Sequence, residues 1–259
     1  MHFNASPREL VIKLVYYGPG LSGKTSNLIG LHQRIFAVAG GAGAEGGDGP
    51  QSAPSEPGRL LTLETADDRT LFFDMLPLWF RNVAGDAMVR IKVFTVPGQP
   101  IHTASRRLVL QGADGLAFIA DSQISHTRQN ADSFRELCDN LKQFGSSIDD
   151  VPLVIQFNKR DLPNVRSDRE LDALARRSRE PVFAAVASVG DGVAETFIGL
   201  LDVTWRQLDQ KHGLSERLRI DRDELLAGAA LQIAADAPVE VLLARRLGEA
   251  APHRPGAHA

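Results

Sequence analysis

Residues 18–25 read Gly-Pro-Gly-Leu-Ser-Gly-Lys-Thr, the G-x-x-x-x-G-K-[ST] spacing of a loop that wraps phosphate. Glycines are needed where backbone N–H groups must close around phosphate oxygens and dihedrals leave the usual regions. Lys24 reaches the β- and γ-phosphates as a point charge, and the Thr25 hydroxyl is a hard oxygen donor suited to Mg²⁺. Gly18, Gly20, Ser22, Gly23, Lys24, Thr25 and Ser26 are therefore the candidate phosphate-binding residues. The loop alone does not choose between adenine and guanine.

A second cluster, Asn158-Lys159-Arg160-Asp161, follows the apolar run 152–157. The crevice beyond a strand's C-terminal end is where open α/β sheets bind ligands. A carboxylate there, Asp161, can accept two N–H bonds from guanine that adenine cannot supply, and leaving it desolvated without them discriminates strongly. Asn158 can hold the loop, and the Lys159 stem can cover the ring. Ala187-Ser188, at the end of the last strand candidate, offers a backbone N–H for guanine O6. A third cluster, Thr95-Val96-Pro97-Gly98-Gln99, follows the strand candidate 88–96. Gly98 lets its amide approach a γ-phosphate, and Gln99 can orient an attacking water.

The elements that must carry these residues alternate in type. Residues 10–17 are rich in β-branched and aromatic side chains and run into the glycine loop, and a helical pattern opens at Lys24 with Leu28, Leu31, Ile35 and Val38 near one face. Further strands are predicted at 69–76, 88–96, 115–121, 152–157 and 181–187, with helices at 126–144, 168–178 and 191–210. Repeated βα units after a strand–loop–helix opening predict an α/β fold of P-loop architecture with a mainly parallel sheet. Residues 39–58 are mostly Gly, Ala, Pro and small polar groups, a composition that predicts a flexible surface insertion. After residue 210, Asp221 with Asp223 and Glu224 marks a helix start, Pro238 divides it from a second short helix, and the end is predicted disordered.

Composition narrows the class. Hydrophobic residues are 43% and charged residues 24% of 259, as in a globular domain with a full core. A formal charge of −3 argues against nucleic-acid or membrane binding through bulk electrostatics. The single cysteine, Cys138, fits a reducing compartment. No apolar run is long enough to span a bilayer and the first ten residues hold no signal-peptide core, so the expected address is the cytoplasm. The histidines show no metal-ligand spacing.

The stretches YYGPGLSGKTSNL, DRTLFFDMLPL, TVPGQ, ASRRLVLQGADGLAFIADSQ and VIQFNKRDLP resemble the MglA family of prokaryotic Ras-like GTPases, a family of gliding motility and cell polarity. The likeness covers residues 8–210. It implies a Ras-like GTPase domain there, interrupted at 39–58, with 211–259 as a C-terminal helical extension. It also implies a switch that hydrolyses GTP to GDP with Mg²⁺ at a low intrinsic rate, and effectors that read its two forms. A roadblock-domain (MglB-like) activating partner and recruitment to cell poles follow from the same likeness. Arg69 matches the family's internal arginine finger, and Thr70 matches a threonine expected on Mg²⁺.

Two positions depart from the wider pattern. Thr95 stands where Ras-like proteins usually carry an aspartate near Mg²⁺, as it does in this family. Pro100 follows Gln99 and biases it towards an extended backbone. Two alternatives follow: a nucleotide-binding scaffold of the same fold with little hydrolysis, and an ATP-using P-loop enzyme, against which Asn158–Asp161 argues.

Overall fold

The structure, a computed structural model, describes residues 2–5, 8–39, 60–63, 73–96 and 103–248. Strand β1 (His2–Ala5) precedes β2 (Arg8–Tyr17), the loop and α1 (Lys24–Ala39). Next come β3 (Leu61–Leu63), β4 (Phe73–Arg81), β5 (Ala87–Thr95), α2 (Thr103–Leu110), β6 (Gly115–Asp121) and α3 (Thr127–Gln143). The chain continues through β7 (Leu153–Asn158), α4 (Asp168–Ala175), β8 (Val182–Ala184) and α5 (Val193–His212), and then α6 (Leu214–Leu218), α7 (Arg222–Gln232) and α8 (Val239–Ala244).

The strands form one sheet in the order β3-β4-β5-β2-β6-β7-β8. From β5 to β8 the pairing is parallel. β3 and β4 add antiparallel strands at one edge, and β1 folds back on the start of β2. This is the mainly parallel α/β sheet with flanking helices expected of a Ras-like P-loop fold.

The period of two in β2 splits the core into two layers. Leu10, Ile12, Leu14 and Tyr16 face α1, α5 and the helices after it, whereas Val15 and Tyr17 face α2, α3 and α4. β6, at the sheet's centre, is buried along its whole length, as a parallel strand covered on both faces must be.

The strand expected at 69–76 is shifted: the described strand runs from Phe73 to Arg81. That strand includes Pro77. β3, however, reaches only as far as Met75, so from Leu76 onward β4 is an edge, where proline is tolerated. The pairing to β5 then extends through Arg81.

Helices α6 to α8 join the first core layer. Gly213, in the left-handed region at φ 61°, caps α5 and turns the chain. Asp221 caps α7 by accepting the Glu224 N–H at 2.7 Å. Leu225, Leu226 and Ile233 are fully buried in the same core cluster as Trp205 and Leu78, each contributing about 1.5–3 kcal/mol relative to exposure. α7 also clasps β4: Glu224 accepts the Val83 N–H at 2.7 Å, Gln232 Nε2 donates to the Trp79 carbonyl, and Gly228 lies against the Phe80 ring. The insertion after Ala39 and residues 249–259 lie outside the described residues. Among the described residues, no helix is long and apolar enough to cross a membrane.

One contact gives a clear test of packing against propensity. A Cβ on Gly199 of α5 would sit 2.4 Å from Cζ of Phe183, which is itself buried on β8. Helix propensity alone favours alanine there by about 1 kcal/mol. Overpacking costs about 1–3 kcal/mol, so Gly199→Ala lowers the denaturant midpoint; a raised midpoint would show that β8 yields freely.

Candidate functional site

The loop 18–23 is pressed onto the C-terminal ends of β6 and β7, and glycine is obligatory at two points. Gly18 has φ 148°, and a Cβ there would lie 2.2 Å from the Ile119 carbonyl oxygen of β6. Gly23 has φ 97°, and its Cβ would lie 2.1 Å from Asn158 Nδ2 on β7. Leu21 is held at φ 62° and its side chain is exposed. Such strain in a non-glycine residue gathers at ligand-binding turns.

Lys24 is buried and donates to the carbonyls of Gly18 at 3.0 Å and Pro19 at 2.7 Å, so its ammonium lies inside the curl of the loop. Burial, and to a lesser degree the charge of nearby Arg106, lowers its pKa from 10.5 to about 7. A cation held at that cost is stabilised by an anion brought against it. The N-terminus of α1 adds its free amides and dipole on the same side.

Asn158 joins the two sequence motifs. Its Nδ2 donates to the Ser22 carbonyl at 2.8 Å, and its Oδ1 accepts the Ala187 N–H at 2.9 Å. One buried amide thereby ties the phosphate loop to the turn after β8. The Ala187 N–H is thus committed to Asn158 rather than turned outward to a base; Ser188, beside it, is exposed. Lys159 adopts φ 66°, and its ammonium pairs with buried Asp121 at 2.7 Å. Asp161 is exposed at the rim of the same loop.

Other polar residues at the site had no place in the motif reading. Asn27 and Gln156, both fully buried, exchange two hydrogen bonds of 2.8 Å. Gln156 also donates to Thr196 of α5 at 2.8 Å, and Asn27 returns to the Gly23 carbonyl at 2.9 Å. This chain of amides braces the loop from behind. A glutamine inside the apolar run of β7 is the one sequence signal for it, since a buried polar side chain requires partners.

Asp74 of β4 is the other unforeseen residue. Its Oδ2 accepts from Thr25 Oγ1 at 2.9 Å and from Thr95 Oγ1 at 3.3 Å, while its N–H donates to Thr95 Oγ1 at 3.1 Å.

On α2, Arg107 is exposed. Arg106 is buried and ion-paired with Glu136 of α3. Cys138 is half-buried, and burial raises its thiol pKa, away from thiolate reactivity. Arg69, Thr70, Gly98, Gln99 and Pro100 lie outside the described residues. Among the described residues, no three His, Cys, Asp or Glu side chains gather as a metal cluster.

No family model matches the sequence. The mutual gliding-motility protein MglA of Myxococcus xanthus (strain DK1622) is 41% identical over 193 residues, which is 74% of this chain and 90% of that protein. With the phosphate loop and the Asn158–Asp161 loop joined at the end of a mainly parallel sheet, that similarity places the chain in the MglA-like family of small Ras-like GTPases.

Proposed function

We propose that this chain binds GTP and GDP and acts as a switch by hydrolysing GTP to GDP and phosphate. The observation that carries the reading is the Asn158 bridge, which ties the phosphate loop at Ser22 to the turn at Ala187 from the start of the Asn158–Asp161 motif. In this reading residues 8–210 form the GTPase domain, 39–58 are an insertion and 211–259 a C-terminal extension. The related gliding-motility protein supports a role in motility; cell polarity and a cytoplasmic address belong to the same proposal.

Each residue has a task. Gly18, Gly20, Ser22, Gly23, Thr25 and Ser26 line the phosphate cradle, with Lys24 as the charge on the β- and γ-phosphates. Asp161 accepts the N–H donors of guanine, Asn158 fixes the loop, and Lys159, anchored by Asp121, lies along the ring. Of the Ala187-Ser188 pair, Ala187 holds the turn and Ser188 is placed to offer its amide. Gly98 directs an N–H at the γ-phosphate, Gln99 orients water, and Arg69 neutralises charge developing in the transition state.

The donor set suits Mg²⁺: the exposed Thr25 hydroxyl, with a carboxylate oxygen 2.9 Å away, is the oxygen chemistry this ion selects. Thr25 and Thr70 are the residues to hold it. When bound, Mg²⁺ supplies charge neutralisation at the β- and γ-phosphoryl oxygens.

Single-turnover hydrolysis of GTP, with and without a roadblock-domain partner, tests the proposal. The partner is expected to accelerate turnover, and Arg69→Ala to remove about 10³-fold or more of the accelerated rate. GTP bound but hydrolysed no faster than in buffer would favour the scaffold reading instead.

Lys24 adds a pH signature. At pH 8 a lysine with a pKa of about 7 is mostly neutral, whereas the phosphate-bound lysine is charged. Binding therefore takes up a proton, and affinity falls by up to about tenfold per pH unit above 7. Below pH 7 Lys24 is charged in both states and its contribution to the slope vanishes. Calorimetry of GDP binding at pH 8 in two buffers of different ionisation heat should detect uptake approaching one proton; zero uptake would contradict the assignment of Lys24.

A further inference from the structure

The helices that follow α5 reach the base side of the site through a single side chain. We propose that Arg34 of α1 is a positioning residue that couples α7 to the turn 186–191, so that the seating of α7 sets how tightly guanine nucleotide is held. The proposal rests on the guanine-nucleotide reading above and names a regulation of that same site.

The turn after β8 needs anchors at both ends. It is closed by backbone bonds from the Val186 N–H to the Asp191 carbonyl at 3.0 Å, from Val189 to Val186 at 3.1 Å and from Gly190 to Ala187 at 3.3 Å. Asn158 holds its first half by accepting the Ala187 N–H. Its second half presents the Gly190 carbonyl, and Arg34 Nη2 donates to that oxygen at 3.2 Å. Ser188 and Val189, between the two anchors, are exposed. The direction of the Ser188 amide is therefore set by what holds Ala187 and Gly190.

The other amino group of the same guanidinium serves the extension. Arg34 Nη1 donates to the Ala234 carbonyl at 3.3 Å, just past the end of α7. The carbonyl end of a helix carries partial negative charge, and a cation is favoured there. A guanidinium holds its donors in a rigid planar fork, so a shift of one carbonyl disturbs the bond to the other. Ala234 is held at φ 44°, a left-handed conformation that alanine adopts only where its surroundings over-determine it.

The end of α7 is well secured. Ile233, beside Ala234, is fully buried, and the Ala235 N–H returns to the Ala230 carbonyl at 2.9 Å. A second grip comes from Arg245 at the end of α8, which pairs at 2.5 Å with buried Glu195 in the first turn of α5. That helix begins directly after the turn 186–191. The extension thus bears on the base-side turn from two directions, and Arg34 is the contact that touches the turn itself.

Coupling between two sites is reciprocal. If the seating of α7 strengthens the hold on GDP, bound GDP must oppose the opening of the last turn of α7 to the same degree. A residue that merely supports the fold has no such signature. The experiment uses the full chain at saturating Mg²⁺, with wild type, Arg34→Ala and Arg34→Lys. It measures affinity for fluorescent GDP, and deuterium uptake of peptides covering residues 230–236 with and without GDP. Arg34→Ala is expected to weaken GDP binding by about 5- to 20-fold. GDP is expected to slow exchange at 230–236 by a similar factor in wild type and to leave it unchanged in Arg34→Ala. Arg34→Lys, which keeps the charge without the fork, is expected to recover part of both effects.

An Arg34→Ala affinity within twofold of wild type would overturn the proposal. So would a wild type in which GDP leaves exchange at 230–236 unchanged, because Arg34 would then brace the turn without coupling it to α7. Either result with GDP still bound leaves the guanine-nucleotide reading standing. A wild-type chain that binds no fluorescent GDP would overturn that reading, and this proposal with it.

Discussion

A single buried amide, Asn158, holds the two halves of the site together. Its donor end fixes the Ser22 carbonyl and its acceptor end fixes the Ala187 amide, so the phosphate loop cannot move without the turn after β8. Neither bond faces water, and breaking one would strand a buried polar group at a cost of about 1–3 kcal/mol. The glycine at position 23 exists to let Asn158 approach; any side chain there would strike the amide. Strain at Leu21 and Lys159 is tolerated because the surroundings over-determine both loops.

Behind that joint the molecule is unusually well braced by polar contacts. The Asn27–Gln156–Thr196 chain connects α1, β7 and α5, which fixes the distance between the loop's helix and the sheet. Satisfied networks of this kind specify one arrangement of a core rather than many. At the opposite edge, α7 secures β4 by packing and by hydrogen bonds. The segment after residue 212 is thereby coupled to the strand that carries Asp74, and its helices share the core that supports α1 and α5.

The parallel half of the fold was legible because each of its strands is a compact apolar run ending in a turn, and each motif sits just after one. The antiparallel edge was harder. Pro77 is a breaker in a central strand but tolerable along an open edge, and nothing local distinguishes the two cases. At the site, Gly18–Thr25 and Asn158–Asp161 were legible as motifs that follow apolar runs, and the Asn158 bond to the Ser22 carbonyl brings the two loops together. Asp121, Asn27 and Asp74 were not, because their roles depend on partners from distant elements: Asp74 meets Thr25 at a sequence separation of 49. Ala187 shows the limit in the other direction. The dipeptide offers backbone amides in sequence, and which of them is used internally is decided by a side chain on another strand.

The central claim is that the joined loops select a guanine nucleotide. The most direct measurement is the identity of the nucleotide released on denaturing the purified full chain. The account predicts GDP or GTP in near one-to-one proportion with protein. ATP or ADP in that place would contradict the assignment of Asn158 and Asp161 to the base.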